Sequence, residues 1–479
     1  MFQGRARELA ELERLYTRGG FQMVVLYGRR RVGKTTLVRE FAKDKPALFY
    51  TAKVQSDALN LAGFSRELYK YAGLPVTSGA FASWDDAFAF LAKVADGRRL
   101  VFMFDEFPYA AAKNEGLVST LQIAIDHLLS STDVFFILTG SNQGFMEEKV
   151  LGAEGDAGES GLGEKNPLFG RRTAQIHLAP FGYRDAAKML PGLEPSDLVR
   201  YYACFGGTPY YLSLIDCRTS FEDNVTRLFF RKEGLLYEEP LMLLRQELRE
   251  PAIYSSVLGA IASGANTPTL IADRVGIERT SLSKYLNVLS SLYLVEKAVP
   301  YGEDRARSRK GIYRLTEPCF AYWYRFVEPY IDEIEQDAGE LAAREVLSAD
   351  EVSTYVGHWF EVICREWTIE QAKQGLLPLA PIKFGSWWGT NPVTRAQDDI
   401  DLIAGNPRRR VALLGECKWR EHVDETQAME KLHARSAVLK GCDDFFYALF
   451  TKHAASSATK MKYADEKHLF ISAADLYTD

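Results

Sequence analysis

Two glycines, a lysine and a threonine stand at fixed spacing between Gly28 and Thr35, which reads Gly-Arg-Arg-Arg-Val-Gly-Lys-Thr. Glycines let a backbone turn tightly, so that its N–H groups can surround a phosphate. In this spacing the lysine contacts the β- and γ-phosphates of a nucleotide and the threonine hydroxyl binds Mg²⁺. The pattern predicts a phosphate-binding loop for ATP or GTP. The candidate nucleotide-binding residues are Gly28, Arg29, Arg30, Arg31, Val32, Gly33, Lys34, Thr35 and Thr36.

Two carboxylates, Asp105 and Glu106, follow an unbroken apolar run. Such a run predicts a buried parallel strand whose acids lie at its carboxyl edge, where ligands bind in parallel sheets. We expect Asp105 to hold Mg²⁺, directly or through water. We expect Glu106 to polarise the water that attacks the γ-phosphate. The alternative is an acidic strand end that faces solvent.

Three more polar residues are candidates for the same site. Ser141 follows an apolar strand pattern at 134–138 and could bond the γ-phosphate or the attacking water, although turn formation alone favours such residues at strand ends. Arg171 and Arg172 come after a Gly- and Glu-rich stretch, 151–166, which predicts a mobile surface loop. One of the two could be an arginine finger that neutralises charge on the transferring phosphoryl group. The alternative is a surface arginine pair.

A second set of charged residues lies near the C-terminal end of the sequence. Asp401 interrupts one apolar strand pattern, and Glu416-Cys417-Lys418 ends the next. Residues two apart share one face of a strand, so Glu416 and Lys418 enter the same cleft. We expect Asp401 and Glu416 to hold Mg²⁺, and Lys418 to orient or deprotonate the water that attacks a phosphodiester. Ordinary amphipathic strand ends are the alternative.

These residues need elements that position them. Apolar runs and helical periodicity supply candidates for the first part of the chain. Strands are expected at 21–27, 46–51, 99–104, 134–138 and 174–178, and helices at 36–43, 56–71, 83–95 and within 183–230.

The middle of the chain has the pattern of a winged helix. Three short helices are expected at 250–263, 267–276 and 278–289, followed by strands at 293–300 and 311–315. The turn between the strands is basic, and the third helix has an exposed polar face that suits phosphates or base edges. A module that only packs within the chain is the alternative. The basic turn carries Arg305, Arg307, Arg309 and Lys310, and the polar face carries Arg279, Thr280, Ser281, Ser283, Lys284 and Asn287.

Composition limits the class of protein. A chain of 479 residues with 47% hydrophobic and 25% charged residues predicts about three soluble domains. The net charge of −6 means that the chain has no overall excess of basic residues, so any DNA binding must come from local basic patches. Six scattered cysteines, without a C-x-x-C pair, favour a reducing cytoplasm over a zinc site or disulfides. We expect no signal peptide and no membrane span.

The first 230 residues resemble the archaeal-type ATPase family, which belongs to the AAA+/STAND part of the P-loop NTPases. The resemblance implies a parallel sheet of order 5-1-4-3-2, a helical lid, and an approach of the Arg171/Arg172 region to the nucleotide. It is carried by Gly28–Thr35, Phe104-Asp105-Glu106, Thr139-Gly140-Ser141, Phe169-Gly170-Arg171-Arg172 and Gly206-Gly207 with Pro209.

The end of the chain resembles the restriction-endonuclease-like, or PD-(D/E)xK, fold. The resemblance rests on Glu361 in a helix expected at about 349–374, on Asp401 in a strand, and on Glu416-Cys417-Lys418 in the paired strand. It implies that Glu361 adds a metal ligand. Many archaeal-type ATPases carry such a domain.

The sequence therefore predicts an α/β protein in which a P-loop NTPase sheet with a helical lid precedes a winged helix and an α/β restriction-endonuclease-like domain. The expected boundaries are 1–180, 181–245, 246–335 and 345–479. The expected function is Mg²⁺-dependent ATP hydrolysis coupled to action on DNA, in the cytoplasm, with a possible homo-oligomer. The alternatives are a STAND-like switch or scaffold whose last domain only binds a protein or nucleic-acid partner, and a transcription regulator that acts through the winged helix.

Overall fold

The computed structural model describes residues 2–76, 79–151, 167–168, 170–248 and 250–478. The chain forms two compact units, Met1–Pro180 and Phe181–Asp479. The loop expected at 151–166 lies outside the described residues, apart from its first residue. Within the described ranges, no helix is both long enough and apolar enough to cross a membrane.

The first unit alternates strands with helices. Its strands are β1 (Gln22–Tyr27), β2 (Ala47–Thr51), β3 (Leu100–Asp105), β4 (Val134–Gly140) and β5 (Ala174–His177). Its helices are α1 (Ala6–Thr17), α2 (Lys34–Phe41), α3 (Asp57–Tyr71), α4 (Trp84–Val94), α5 (Phe107–Ala111), α6 (Leu117–His127) and α7 (Gln143–Phe145), with a 3₁₀ turn at Leu129–Ser131 and a π-helical segment at Met146–Leu151.

All five strands of this unit pair in parallel, in the order β2-β3-β4-β1-β5. Taken from the opposite edge, this is the expected order 5-1-4-3-2. Every residue of β1, β3 and β4 is buried, because their continuous apolar runs occupy the centre of the sheet. The carboxyl ends of these three neighbouring strands therefore lie at one edge of the sheet. The candidate nucleotide-binding and catalytic residues follow these strand ends.

Two serines explain why the helices after β2 begin where they do. The side chain of Ser56 accepts a hydrogen bond from the N–H of Leu59 at the start of α3. Ser83 accepts one from the N–H of Asp86 at the start of α4. Both are N-cap contacts, which satisfy backbone donors that a helix start otherwise leaves unpaired.

The second unit is mostly helical before its large sheet. Its helices are α8 (Tyr183–Ala187), α9 (Pro195–Phe205), α10 (Pro209–Ser213), α11 (Phe221–Phe229), α12 (Glu239–Glu247), α13 (Pro251–Ala262), α14 (Pro268–Val275), α15 (Arg279–Ser291), α16 (Pro318–Tyr322), α17 (Ile331–Glu335), α18 (Gly339–Ser348), α19 (Asp350–Gln374), α20 (Glu425–Arg435) and α21 (Ser457–Lys462). A π-helical segment lies at Trp323–Val327, and 3₁₀ turns lie at Glu328–Tyr330, Ser436–Val438 and Asp475–Tyr477.

Two sheets belong to this unit. Its strands are β6 (Val295–Ala298), β7 (Ile312–Leu315), β8 (Lys383–Thr390), β9 (Gln397–Asn406), β10 (Val411–Lys418), β11 (Asp444–Thr451) and β12 (His468–Ser472). Strands β6 and β7 form an antiparallel hairpin. The others form a mixed sheet of order β12-β11-β10-β9-β8, antiparallel from β8 to β10 and parallel from β10 to β12.

One strand begins earlier than its sequence indicates. After α19, the first strand signal in the sequence is the aromatic pair Trp387-Trp388, whereas β8 already starts at Lys383. The pairing with β9 is irregular between Gly385 and Trp387. Because such an irregularity breaks the alternation of faces, the residues before it do not show a strand pattern.

Candidate functional site

The Gly28–Thr35 loop connects β1 to α2 as a tight turn. Gly28 has a φ of 152°, and a Cβ built there would lie 2.4 Å from the carbonyl oxygen of Leu178. Gly33 has a φ of 91° and is the N-cap residue of α2. Glycine is therefore required at both positions, for close backbone approach at Gly28 and for a left-handed backbone at Gly33.

The Gly28→Ala variant should be less stable than the natural chain by about 2 kcal/mol or more, because its methyl group meets a backbone oxygen that cannot rotate away. The urea midpoint of unfolding measures this loss. Gly73→Ala is the matched control, since its φ of 69° is also positive but nothing lies within 4 Å of its Cβ. Equal losses in the two variants would contradict the steric explanation.

Lys34 folds back over the loop that precedes it. Its Nζ donates to the carbonyl oxygens of Gly28 at 2.7 Å and Arg29 at 3.2 Å. The side chain is only 6% exposed. Its ammonium group is therefore held within the curve of the loop, where the backbone turns around the predicted phosphate position.

The remaining loop residues have different environments. Arg29 and Val32 are buried, whereas Arg31 and Thr36 are exposed. Arg30 donates to the phenol oxygen of the tyrosine in α5. Of these side chains, Val32 is a core residue that packs among the apolar residues below the loop.

Arg5, near the start of the chain, stabilises the loop through hydrogen bonds. It was not among the residues predicted from the sequence to belong to the site. Its Nη2 donates to the carbonyl oxygen of Val32 at 3.1 Å and to that of Ala179 at 2.7 Å. Its side chain is buried. Nothing in the local sequence distinguishes Arg5 from the other arginines near it, because its partners are 27 and 174 residues away.

The predicted magnesium ligands of the loop lie side by side. Thr35 Oγ1 donates to Asp105 Oδ2 at 3.0 Å. Asp105 is 5% exposed, and its Oδ1 accepts a hydrogen bond from Thr139 Oγ1. A hydroxyl and a carboxylate at this separation suit Mg²⁺, which prefers oxygen ligands. Thr139, at the end of β4, orients the carboxylate and was not among the sequence candidates.

Glu106 and Ser141 meet at the ends of neighbouring strands, as their positions in the sequence predict. Glu106 Oε2 accepts from the Ser141 N–H at 3.1 Å and from Ser141 Oγ at 2.7 Å. Glu106 has a φ of 50°, a left-handed conformation that is unusual for a side chain of this size. The carboxylate is thus fixed beside Asp105 by a turn and two hydrogen bonds.

Arg171 and Arg172 are engaged with other parts of the first unit. Arg171 forms a bidentate ion pair with Asp126 of α6, with Nε–Oδ1 and Nη2–Oδ2 distances of 2.8 Å. Arg172 Nη1 donates to the carbonyl oxygen of Leu151 at 2.8 Å. An arginine-finger role for Arg171 stays a prediction, and it would require the guanidinium group to leave Asp126.

The second predicted set comes together where β9 and β10 run side by side. Lys418 Nζ lies 2.6 Å from Glu416 Oε1 and 3.9 Å from Asp401 Oδ2. The Cys417 N–H donates to Asp401 Oδ2 at 2.8 Å. Asp401 and Glu416 therefore face one cleft from adjacent strands, with the ammonium group between them.

The charges in this cleft alter its acid–base properties. Burial first, and then the charge of Glu416, raises the pKa of Asp401. The pKa of Lys418 is also raised: burial alone would lower it, but the carboxylates of Asp401 and Glu416 outweigh that effect. Lys418 thus remains an ammonium ion at neutral pH, which suits it to orient a water rather than to deprotonate one.

Arg435, the last residue of α20, binds the same carboxylate from the other side. Its Nη1 lies 2.6 Å from Glu416 Oε2, and its Nε donates to Asp398 Oδ1 at 2.9 Å. Asp398 in turn accepts from Asn391 Nδ2 at 2.9 Å. Both oxygens of Glu416 are therefore paired with cations. The sequence did not indicate Arg435, because its partners Glu416 and Asp398 are 19 and 37 residues away along the chain.

Glu361 of α19 lies at the edge of this cleft. Burial, and next the charge of Asp401, raises its pKa. Its Oε2 is 3.9 Å from His358 Nδ1, one helical turn earlier. In the part of the chain that the structure describes, no three His, Cys, Asp or Glu side chains are arranged to hold a metal ion.

The Glu361→Gln variant should gain stability relative to the natural chain as the pH rises. With its raised pKa, Glu361 stays protonated in the folded state at pH values where the unfolded chain has already ionised. Stability is therefore lost above the ordinary glutamate pKa of 4.5. Melting temperatures of both proteins from pH 4.5 to 9 measure this. The control is Glu351→Gln, on the same helix, where the side chain is 71% exposed; a pH-independent difference for Glu361→Gln would contradict the raised pKa.

The residues expected to form a winged helix contain three helices, α13 to α15, and the antiparallel hairpin of β6 and β7. The polar residues expected on the face of α15 are all exposed, and so are the four basic residues of the hairpin turn. The hairpin contacts β8: the Tyr301 N–H donates to Ser386 O at 2.8 Å, and Trp388 Nε1 donates to Lys310 O at 3.3 Å. The backbone of the hairpin connection therefore lies beside strand β8 of the mixed sheet.

Comparison with known proteins identifies the chain's relatives. An ATPase domain family found predominantly in Archaea matches residues 2–215. An uncharacterized protein of Methanocaldococcus jannaschii is 30% identical over 457 residues, which cover 94% of this chain and 96% of that protein. The chain belongs to the family of this protein, and its residues 2–215 form an archaeal-type ATPase domain.

Other matches cover less of the chain. Residues 323–431 match a family of archaeal and bacterial proteins of unknown function. An uncharacterized ATP-binding protein of the same archaeon is 47% identical over 45 residues, which is 9% of this chain and 76% of that protein. The Walker-type ATPase of Pyrococcus abyssi aligns with a TM-score of 0.49 and 20% identity, over 68% of this chain and 96% of that structure.

Proposed function

We propose that this archaeal ATPase hydrolyses ATP with Mg²⁺ at the Gly28–Thr35 loop. Lys34 would contact the β- and γ-phosphates, and Thr35 and Asp105 would hold the metal. The observation that carries the proposal is the 3.0 Å contact between Thr35 Oγ1 and Asp105 Oδ2, which brings the two ligand types together at the end of the loop. When bound, Mg²⁺ neutralises charge on the phosphates.

The residues around these ligands prepare the site for attack by water. Thr139 orients the carboxylate of Asp105 through a hydrogen bond to Oδ1, so that Oδ2 faces Thr35. Ser141 fixes Glu106, whose carboxylate would align the attacking water and accept its proton. Ser141 could instead bond the γ-phosphate once Glu106 turns toward the water. Arg171 or Arg172 would supply positive charge from this chain or from a second copy.

We further propose that the second unit acts on DNA. The proposed parts are a helical lid at 181–245, a winged helix at 246–335 and a nuclease-like domain at 345–479. Asp401 and Glu416, with Glu361 at the edge, would hold Mg²⁺, and Lys418 would orient the water that attacks the phosphodiester. The support is the convergence of three charged groups on the neighbouring strands β9 and β10, with Lys418 Nζ 2.6 Å from Glu416 Oε1.

One observation favours a second function, in which the last domain binds a partner without cleaving it. Glu416 is paired with Lys418 through one oxygen and with Arg435 through the other, each at 2.6 Å. A metal ion would have to displace one of these cations. If neither Lys418 nor Arg435 is displaced, the chain would be an ATP-dependent switch or scaffold. The cleft would then only bind its partner.

Alanine at Arg305, Arg307 and Arg309 together should weaken DNA binding and reduce its salt dependence. Each lost phosphate contact should lower the slope of log K against log salt by about 0.9 for duplex DNA. Fluorescence anisotropy with a labelled duplex at several salt concentrations, with and without ATP, measures this slope. Arg408 and Arg409, exposed on the turn between β9 and β10, provide a matched control when both are replaced by alanine.

A slope that is unchanged in the hairpin variant would contradict DNA binding by the wing. Absence of any salt-dependent binding by the natural chain would favour the protein-partner alternative. Discrete footprints at specific sequences would instead favour a transcription regulator.

A further inference from the structure

A cavity of about 290 Å³ lies between the winged-helix hairpin and the long helix α19. Strand β7 contributes Arg314, the π-helical segment contributes Arg325, and α19 contributes His358 and Trp359. All of its lining residues lie within the described part of the second unit, and they include no carboxylate. The cavity thus combines two guanidinium groups and an imidazole without an acid on its wall.

The carboxylates nearest to this wall, Glu361 and Glu296, attract Arg314 without forming an ion pair with it in the described residues. Among the described residues, no carboxylate lies within ion-pair distance of Arg314, which packs over the ring of Trp388 at 5.4 Å. Burial lowers the pKa of Arg314, as expected for a guanidinium group that is partly removed from water. Arg325 has only a long contact to Glu351, at 3.9 Å, and that carboxylate is 71% exposed.

The two arginines supply hydrogen-bond donors together with positive charge. No lining residue carries a carboxylate, so the wall itself provides no competing anion.

We propose that this cavity binds the phosphate monoester of a nucleotide or of a 5′-phosphorylated strand end. Guanidinium groups present paired N–H donors that match phosphate oxygens, and a partly buried site strengthens such charge-assisted bonds. The volume is at the lower end of the range for small-molecule sites, so a phosphate with its attached sugar fits better than a larger cofactor.

The cavity is also close to the charged cleft of the mixed sheet. His358 lines the cavity, and its Nδ1 is 3.9 Å from Glu361 Oε2 at the cleft edge. His358 on the cavity wall and Glu361 at the cleft edge are therefore neighbours on α19. Phosphate binding here does not require cleavage there, so the two can fail separately.

Isothermal titration of the full-length Lys34→Ala variant tests this site without interference from the phosphate-binding loop. The probes are inorganic phosphate, thymidine 5′-monophosphate, thymidine, and oligothymidylate with or without a 5′-phosphate. Thymidine 5′-monophosphate should bind one site, and thymidine should not bind. Added Arg314→Gln should weaken the binding about tenfold or more, with Arg314→Lys intermediate. Arg409→Gln is the exposed control.

The oligonucleotide pair separates the two sources of the phosphate. Tighter binding of the 5′-phosphorylated strand than of the mononucleotide identifies a strand end, and the reverse identifies a free nucleotide. If Arg314→Gln lowers the melting temperature, Arg325→Gln replaces it. Equal affinities for thymidine and its monophosphate, or unchanged affinity in both arginine variants, would overturn the proposal.

Discussion

Replacing Lys34 by alanine should reduce ATP hydrolysis by about two to three orders of magnitude, the size expected when one positioned charge is removed from a phosphoryl-transfer site. The Lys34 ammonium group lies within the curve of the loop, 2.7 Å from the carbonyl oxygen of Gly28. It would exchange these carbonyl contacts for phosphate oxygens when ATP binds. Phosphate release and binding of a fluorescent ATP analogue measure the two effects.

Lys43→Ala is the matched control for this variant. Lys43 is an exposed lysine two residues beyond the end of α2, the helix that begins with Lys34. Its replacement should leave turnover within about twofold, as is usual for surface substitutions. If Lys34→Ala hydrolysed ATP at the rate of the natural chain, the loop would not be the nucleotide site.

The Asp401→Asn variant should lose Mg²⁺-dependent nicking of DNA by about two orders of magnitude or more, because one of two proposed metal carboxylates becomes neutral. Asparagine keeps an oxygen that can accept the hydrogen bond from the Cys417 N–H, so the strand pairing should survive. Conversion of supercoiled plasmid to open circle measures the nicking. ATP hydrolysis should be unchanged.

Asp444→Asn provides the control for Asp401→Asn in the same sheet. Asp444 pairs with Lys467 at the surface, with a side chain that is 51% exposed. An exposed pair of this kind contributes little to stability, so its loss should not change the nicking. Equal nicking by Asp401→Asn and the natural chain would assign any observed activity to another site or to a contaminant.

The central strands could be predicted from the sequence because their signals are local. A strand buried on both faces, such as β3 or β4, must be apolar throughout, and the polar residues that follow it stand at the sheet edge. The strand pattern therefore predicts that Asp105, Glu106 and Ser141 lie together at one edge of the sheet. In the same way, alternation along β10 placed Glu416 and Lys418 on one face.

Contacts between distant segments could not be predicted in this way. Arg5, Arg314 and Arg435 are ordinary arginines in their local sequence, and each gains its role from residues that the fold brings near. The packing of residues 181–479 into one compact unit is also a property of contacts between distant segments. Periodicity describes one element at a time, so it contains no information on which elements share a core.

Nicking of supercoiled DNA in Mg²⁺, with and without ATP, tests most directly whether the loop of the first unit controls the cleft of the second unit. The natural chain, Lys34→Ala and Asp401→Asn are compared at equal concentration. The expected result is nicking by the natural chain that changes when ATP is added, nicking by Lys34→Ala that does not respond to ATP, and none by Asp401→Asn. Absence of nicking by the natural chain on duplex, single-stranded or RNA substrates, or an ATP response that survives in Lys34→Ala, would contradict this account.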